Sequence, residues 1–227
     1  MHFEGAKRAV WKEFFRKKRI YTIPHGDFRT VFPKWMPRAE ARERLGIRDD
    51  AYVFLVFGNI RAYKGIQEVV QAFRQAADRK DLLLVVGKFP PGFDKAEIAA
   101  NDERIRIVDE KVSEQDVQIY FQASDCSILH YRKIFTSGNL FLSMGFAKPI
   151  VAIKEGILAD VVREDFGILY DDEAGLQKAL SAIKGIDPEK AARAALDQLG
   201  NYRWQDAARV SAEAYARVLE HPAETPK

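Results

Sequence analysis

The feature that most limits the fold of this chain is a set of short, continuously apolar runs separated by segments with helical periodicity. Three of these runs carry apolar side chains at successive positions: Tyr52–Phe57, Leu82–Val86 and Pro149–Ile153. Continuous apolar strands are typical of a parallel sheet that is covered on both faces. The segment that begins at Ile66 instead repeats apolar residues at spacings of three and four, which predicts an amphipathic helix.

Further strands and helices continue this alternation along the chain. Strands are also predicted at Ile20–Ile23, Arg104–Val108, Cys126–His130 and Gly167–Tyr170. Further helices are predicted over residues 39–46 and 94–100, after Ser113, Ser137 and Leu158, and over residues 172–183, 187–199 and 203–219. This alternation predicts an α/β fold with a Rossmann-like, doubly wound, mostly parallel sheet of about six strands.

The sequence contains no long linker, so residues 20–220 are predicted to form one domain. Residues 1–19 are a separate unit, a predicted helix in which basic residues alternate with Trp11, Phe14 and Phe15. This helix either packs its aromatic side chains on another domain, which we favour, or lies on an anionic membrane surface. Residues 221–227 are predicted to be a disordered tail.

The composition argues against several classes of function. The formal net charge is only +3, so the chain lacks the strong positive field of a nucleic-acid-binding protein. The chain has a single cysteine, Cys126, so an internal disulfide is excluded and a cytoplasmic location is favoured. Cys126 lies in an apolar run. No run approaches the ~18 apolar residues of a membrane-spanning helix. The four histidines are scattered, and CxxC and HExxH are absent, so no metal site is predicted.

Two loops that follow apolar strands have the composition of a phosphate-binding site. The first runs from Gly58 to Gly65 and contains two cations. The second leads into a helix that Ser137 can cap, where Gly138 would let a ligand approach the backbone. A helix N-terminus suits an anion, and α/β proteins bind ligands at this edge of the sheet. An ordinary capped turn and a solvated loop lysine are the alternatives, but two such loops in one chain favour the phosphate site.

A series of stretches, taken in order, resembles the C-terminal domain of retaining GT-B glycosyltransferases, and most closely the large group 1 family (family 4). The stretches are IPHG, VFGNIRAYKG, LLLVVGK, ASDCSILHYR, TSGNLFLSMGFAKPIVA, EGILADVV and FGILYD. Their order and spacing match over residues 20–220 or so. The resemblance implies one half of a GT-B fold and a nucleoside-diphosphate sugar, UDP- or GDP-linked, as the substrate.

The resemblance also implies a role for each matching position. Arg61 and Lys64 are expected to contact the donor diphosphate and to stabilise it as the leaving group. The other substrate-binding positions are Gly58, Asn59, Thr136, Ser137, Gly138 and Asn139. The loop expected to contact the base is Asp109, Glu110, Lys111 and Val112. No catalytic residue is assigned in this chain, and neither a metal nor another cofactor is expected.

Some positions depart from the family pattern. Ile134 and Leu142 stand where the family usually has two glutamates that contact the sugar and the ribose. Glu155 is either a substitute for one of them or a solvated loop residue. Asn59 occupies a position usually held by arginine, and Arg61 would then supply the charge. These departures affect the expected identity of the donor more than the expected fold.

The resemblance further implies that this chain is one half of an enzyme, whose N-terminal domain binds the acceptor and carries a catalytic histidine. That domain, or a partner subunit, is expected to cover residues 1–19 and the last helix, which starts near Trp204. Left uncovered, their aromatic side chains would favour self-association. The chain alone is expected to be weakly active or inactive, in the cytoplasm or at the membrane periphery. The alternative function is a non-catalytic interaction module that keeps the half-fold.

Overall fold

The computed structural model describes residues 20–29, 36–100 and 102–220. Within these residues a single parallel sheet forms the centre of the molecule. Strands β1 to β6 span Val53–Phe57, Leu82–Val86, Ile105–Val108, Cys126–Leu129, Ile150–Ile153 and Gly167–Tyr170. Helices α1 to α9 span Arg38–Arg44, Ile66–Ala76, Lys95–Ala99, Val117–Ala123, Gly138–Gly145, Gly156–Val161, Glu173–Ala182, Pro188–Leu199 and Trp204–Glu220.

The strand order in the sheet is β3-β2-β1-β4-β5-β6, and every neighbouring pair is parallel. The chain builds outward from β1 to β3, then returns to the centre and builds outward again from β4 to β6. The order therefore reverses between β1 and β4, where Phe54 pairs with Cys126. At such a reversal the following loops diverge, which opens a crevice beyond the carboxyl ends of the two strands.

Both faces of the sheet are covered, which explains the continuous apolar runs. Along β1, Phe54 and Val56 join one buried cluster, whereas Val53 and Leu55 join the cluster on the opposite face. Helices α2, α5, α6, α7 and α8 contribute to the first cluster, and α1 and α4 contribute to the second. The prediction of a Rossmann-like, doubly wound α/β fold is confirmed.

Two local predictions are wrong. Ile20–Ile23 is not a strand, since none of these residues pairs with the sheet, and the residues that follow them contact helices. His25 stacks on Phe141 of α5 with ring centroids 4.3 Å apart, and Trp204 Nε1 donates to the carbonyl of Asp27 at 2.6 Å.

The second error concerns the start of α4, which begins at Val117 rather than just after Ser113. The Ser113 hydroxyl donates to the carboxylate of Asp116 at 2.6 Å, and the Asp116 amide donates back to that hydroxyl at 3.2 Å. This pair therefore closes a separate turn that precedes the helix. The predicted helix within residues 1–19 and the predicted tail at 221–227 lie outside the described residues.

The described residues also bear on membrane and metal binding. None of their helices has both the length and the apolar character needed to cross a bilayer. No group of three or more His, Cys, Asp or Glu side chains in this part of the chain could hold a metal ion. Cys126 is fully buried in β4, as its apolar neighbours predict.

Candidate ligand-binding site

A cavity of about 420 Å³ lies beyond the carboxyl ends of β1 and β4, at the reversal of the strand order. Two loops form its walls. The loop after β1 contributes Gly58, Asn59, Tyr63 and Lys64, and the segment after β4 contributes Tyr131 and residues 133–139. The structure therefore brings together the two loops that the sequence analysis selected.

Lys64 is a buried cation in the wall of this cavity. It ends a short 3₁₀ turn, Ala62–Lys64, and Gly65 then adopts a positive φ of 51° as α2 begins. Its side chain is only 5% exposed, and Nζ donates to the carbonyl oxygen of Phe57 at 2.7 Å. Burial lowers the pKa of Lys64 from 10.5 to about 8. Since no carboxylate among the described residues pairs with it, an anion in the cavity would be its natural counter-ion.

The N-terminus of α5 lies next to Lys64 in the cavity wall. Ser137 caps this helix, because its hydroxyl accepts from the amide of Leu140 at 3.4 Å and contacts the buried hydroxyl of Tyr131 at 3.1 Å. Asn139 Nδ2 donates to the carbonyl of Phe57 at 2.6 Å, the same oxygen that Lys64 contacts. The free amides and partial positive charge of a helix start therefore lie beside Lys64 at the cavity, an arrangement that suits an anion.

Glycines allow the loops after β1 and β2 to approach each other closely. Gly87, directly after β2, has a φ of 144°, and a Cβ atom on it would lie 2.1 Å from the carbonyl oxygen of Gly58. Any side chain there would displace the loop that carries Lys64. The sequence analysis did not select Gly87, although its place directly after an apolar strand was a usable signal.

A layer of polar contacts behind the cavity ties its two loops together. The backbone amide of Arg132 donates to the carbonyl of Tyr63 at 2.7 Å, and Arg132 Nε donates to Glu68 of α2 at 2.6 Å. Next to this pair, the buried Nδ1 of His130 lies 2.6 Å from the hydroxyl of Tyr170, and burial lowers the pKa of His130. The sequence analysis missed this layer, because its partners are far apart in the chain.

Some predicted site residues do not line the cavity. Arg61 is exposed at the start of the 3₁₀ turn. The predicted base-binding loop, residues 109–112, follows β3, two strands away from the cavity centre.

The first residues of that loop have partners of their own. Asp109 pairs with Lys88 and Lys95, and these contacts hold the pKa of its carboxyl well below the usual range. Glu110 accepts from the hydroxyl of Tyr120 at 2.9 Å. A role of this loop and of Arg61 in binding therefore stays a prediction.

The cavity has no acidic residue in its wall, as far as the described residues show. Ile134 lines it, whereas Leu142 packs against the buried cluster on one face of the sheet. Glu155 is exposed before α6 and is not among the residues that line the cavity. Aromatic residues that the sequence analysis did not select are present instead: Tyr63, Tyr131 and Phe135.

The central part of this chain matches a protein-family model, and the chain is similar to curated proteins. A family model described as "Glycosyl transferases group 1" matches residues 51–185. A GDP-mannose:glycolipid 4-beta-D-mannosyltransferase of Xanthomonas campestris pv. campestris is 30% identical over 158 residues, which cover 67% of this chain and 43% of that protein. A D-inositol 3-phosphate glycosyltransferase of Xylanimonas cellulosilytica is 26% identical over 220 residues, or 89% of this chain and 52% of the relative.

Comparison with solved structures agrees with this at the level of the fold. Sucrose-phosphate synthase from Thermosynechococcus elongatus superposes with a TM-score of 0.79 at 20% identity, covering 95% of this chain and 57% of the other. WaaG, a glycosyltransferase involved in lipopolysaccharide biosynthesis, gives a TM-score of 0.72 at 16% identity, with 98% and 62% coverage. Anabaena HepE, solved in complex with UDP and glucose, gives 0.70 at 17% identity, with 88% and 56% coverage. The chain spans about half the length of the curated relatives it matches.

Proposed function

We propose that this chain, which belongs to the group 1 glycosyltransferases, binds the diphosphate of a nucleoside-diphosphate sugar in the cavity between Lys64 and the start of α5. The family and the GT-B type of fold, inferred above as a resemblance, are confirmed. The proposal is that the donor binds in this cavity and that its sugar is transferred from there.

The observation that carries the proposal is that Lys64 and a helix start lie side by side at one cavity. A lysine that is 5% exposed and has a pKa lowered to about 8 bears the cost of an uncompensated buried charge. A diphosphate between Lys64 and the amides of Gly138 and Asn139 would supply that compensation. Such a site would carry positive charge before the ligand binds, and its cavity of about 420 Å³ has room for a small ligand.

The same groups would act on the leaving group during transfer. When the glycosidic bond to the diphosphate breaks, negative charge develops on the phosphate oxygen. A fixed cation and fixed helix amides stabilise that charge without reorganisation, and they need no metal ion. Exposed Lys133 also lines the cavity, and Arg61 lies on the loop beside it, where both would add to the positive potential.

The donor base and the stereochemistry are part of the proposal. The printed name of one relative gives GDP-mannose as its donor, and the HepE structure contains UDP, so both nucleotides are candidates. The resemblance noted in the sequence implies retention of the donor's anomeric configuration. NMR of the product formed from an α-linked donor by the complete enzyme would test this, and a β-linked product would contradict it.

We further propose that an acceptor-binding domain or subunit completes this enzyme, because the chain covers only 43% and 52% of two relatives. Helix α9 supports this, since Tyr215, Val218 and Leu219 are exposed apolar residues on one helix. Such a partner would bury them at an interface.

The absence of an acidic residue from the described cavity wall favours the second candidate function, a non-catalytic interaction module.

Calorimetric titration without metal distinguishes the two functions. The wild-type chain is titrated with UDP, GDP and their sugar conjugates, and the titrations are repeated with the variant Lys64→Met, which removes the charge and keeps most of the length of the side chain. Loss of a charged contact is expected to weaken binding by about 1–3 kcal/mol. Lys190→Ala, at an exposed lysine of α8, is the matched control. Unchanged affinity in Lys64→Met would contradict the site, and no binding of any nucleotide would favour the interaction module.

A further inference from the structure

We propose that His130 is a positioning residue of the diphosphate site, which on protonation binds the free carboxylate oxygen of Glu68 and so fixes the turn that carries Lys64. The donor therefore binds more tightly in mildly acidic solution than at neutral pH. This inference rests on the proposed function and adds a regulation by protons to it. His130 and Glu68 do not line the cavity, so they act on the donor through that turn.

The first observation is a pair of buried polar atoms beside the turn. Among the described residues, none forms a hydrogen bond with Nε2 of His130 or with Oε2 of Glu68, although both atoms are buried. Both lie next to Gly65, where a Cβ atom would be 2.6 Å from Nε2 and 3.2 Å from Oε2. Buried polar atoms are seldom left unpaired, so two of them at one glycine call for a common explanation.

The other polar atoms of these two side chains are already bound. Nδ1 of His130 lies 2.6 Å from the hydroxyl of Tyr170 on β6, and the ring is only 8% exposed. Oε1 of Glu68 accepts from Nε of Arg132 at 2.6 Å. The ring nitrogen and the carboxylate oxygen that remain can therefore bond to each other after a small movement.

Gly65 connects this pair of atoms to Lys64, which directly precedes it. Gly65 has a φ of 51°, and a Cβ atom on it would lie 2.5 Å from Cδ2 of His130, so the imidazole ring packs against the end of the turn. Earlier in the same turn, the carbonyl of Tyr63 accepts from the amide of Arg132 at 2.7 Å, and this arginine is the partner of the carboxylate. A bond between the two free atoms would close a ring of contacts around the turn.

Protonation of the imidazole makes this bond favourable. An imidazolium donates from both nitrogens, and the hydroxyl of Tyr170 can accept from Nδ1. Burial lowers the pKa of His130, the charge of Glu68 raises it, and the charges of Arg132 and Glu173 lower and raise it respectively. These groups face the ring from α2, from β6, from α7 and from the segment after β4. The ring is therefore mainly neutral at pH 7, and mild acid charges it.

Binding of the donor favours the charged form of His130 for two reasons. The diphosphate is an anion, and His130 directly precedes Tyr131, which lines the cavity. The closed ring of contacts also orders the turn before the ligand arrives, which lowers the entropic cost of binding. The pKa of His130 is therefore higher in the complex than in the free chain. Binding takes up a proton in this range, so the dissociation constant falls as the pH falls from about 7 to about 5.

Magnetic resonance titration of the histidine side chains, together with calorimetry between about pH 5 and pH 7, tests the inference. The ligand is a nucleoside-diphosphate sugar, because the sugar replaces the terminal phosphate proton that would itself titrate at about pH 6. We expect the donor to raise the pKa of His130. We expect the affinity to increase about fivefold from pH 7 to pH 5, the low end of the coupling between two sites.

Matched variants identify the group that titrates. His130→Gln keeps a polar side chain that takes up no proton, so it should bind the donor within about twofold of the wild type at pH 7 and show no gain at pH 5. Its spectrum also assigns the His130 signal, and the wild-type titration decides the matter if this variant fails to fold. Glu68→Gln should lower the pKa of His130 in the free chain and remove most of the gain. Glu213→Gln, in an exposed ion pair of α9, is the control and should change neither.

The outcomes separate this inference from the function on which it rests. If Lys64→Met weakens the donor while the pKa of His130 is the same with and without ligand, the donor site stands and this inference is overturned. If His130→Gln keeps the gain at pH 5, another group titrates, and the inference is overturned as well. If no nucleotide binds, both proposals fail.

Discussion

Above pH 7, the affinity for the donor should depend on pH through one side chain, Lys64. Its amino group is buried in the cavity wall with a pKa of about 8, lowered by desolvation from 10.5. Above pH 8 the free protein therefore loses this charge. A bound diphosphate would favour the charged form and raise the pKa in the complex. Binding thus takes up a proton at alkaline pH, and the dissociation constant must rise with pH.

The size of the effect follows from that pKa. Relative to pH 7, the dissociation constant should rise about twofold at pH 8 and about tenfold at pH 9, as linkage to one proton requires. Lys64→Arg keeps a cation that stays protonated over this range, so it should bind with little dependence on pH. Lys64→Met should bind weakly at every pH. Calorimetry with a nucleotide sugar in buffers of different ionisation enthalpy measures both the affinity and the proton uptake.

The free energy of unfolding should rise with pH, whereas the affinity for the donor should fall. The pKa of Lys64 is lower in the folded chain than in the unfolded one, so the unfolded state binds more protons between about pH 8 and 10.5. The free energy of unfolding should therefore gain up to about 3 kcal/mol across that window from this group. The difference between wild type and Lys64→Met isolates this gain from other alkaline titrations.

Two results would refute this reasoning. If Lys64→Arg shows the same rise in dissociation constant as the wild type, another group titrates. If the wild type shows no rise between pH 7 and 9, Lys64 is not desolvated as the structure has it.

Two further predictions concern the scaffold. Arg42 is 1% exposed and donates to four backbone carbonyls and to Asp125, so Arg42→Met should lower the free energy of unfolding by about 3–5 kcal/mol. Arg44→Ala, at an exposed ion pair on the same helix, should cost less than about 1 kcal/mol in the same urea titration. The apolar residues of α9 should promote self-association that Tyr215→Glu together with Leu219→Glu reduces. Sedimentation velocity at increasing concentration measures this, and a wild type that stays monomeric would refute it.

Local sequence patterns were sufficient to locate most strands. Leu82–Val86 and Gly167–Tyr170 have the same bounds in the sequence analysis and in the structure. Leu82–Val86 could be predicted because a strand buried on both faces needs apolar residues at successive positions, which is a local property. Ile20–Ile23 has a similar composition but is not a strand, since whether an apolar run joins a sheet depends on what else lies at the edge.

The two loops that line the cavity were likewise visible in the sequence, because a glycine, a cation and a helix cap lie within a few residues of each other. The sequence could not distinguish Lys64 from Arg61, which lie on the same loop. The tertiary structure buries the first beside the carbonyl of Phe57 and leaves the second exposed. Burial depends on the neighbouring strand and helix, and no local pattern encodes it.

The sequence by itself determined the class of fold, the succession of its elements and the loops that form the site. Only the tertiary structure decided the order of the strands, the cavity at the point where that order reverses, and the burial of Lys64 in the wall of that cavity. The contacts that close the cavity join residues far apart in the chain, such as Asn139 to Phe57 across 82 positions and Arg132 to Glu68 across 64. Periodicity and composition report on neighbours in sequence, whereas such contacts arise only when the chain has folded.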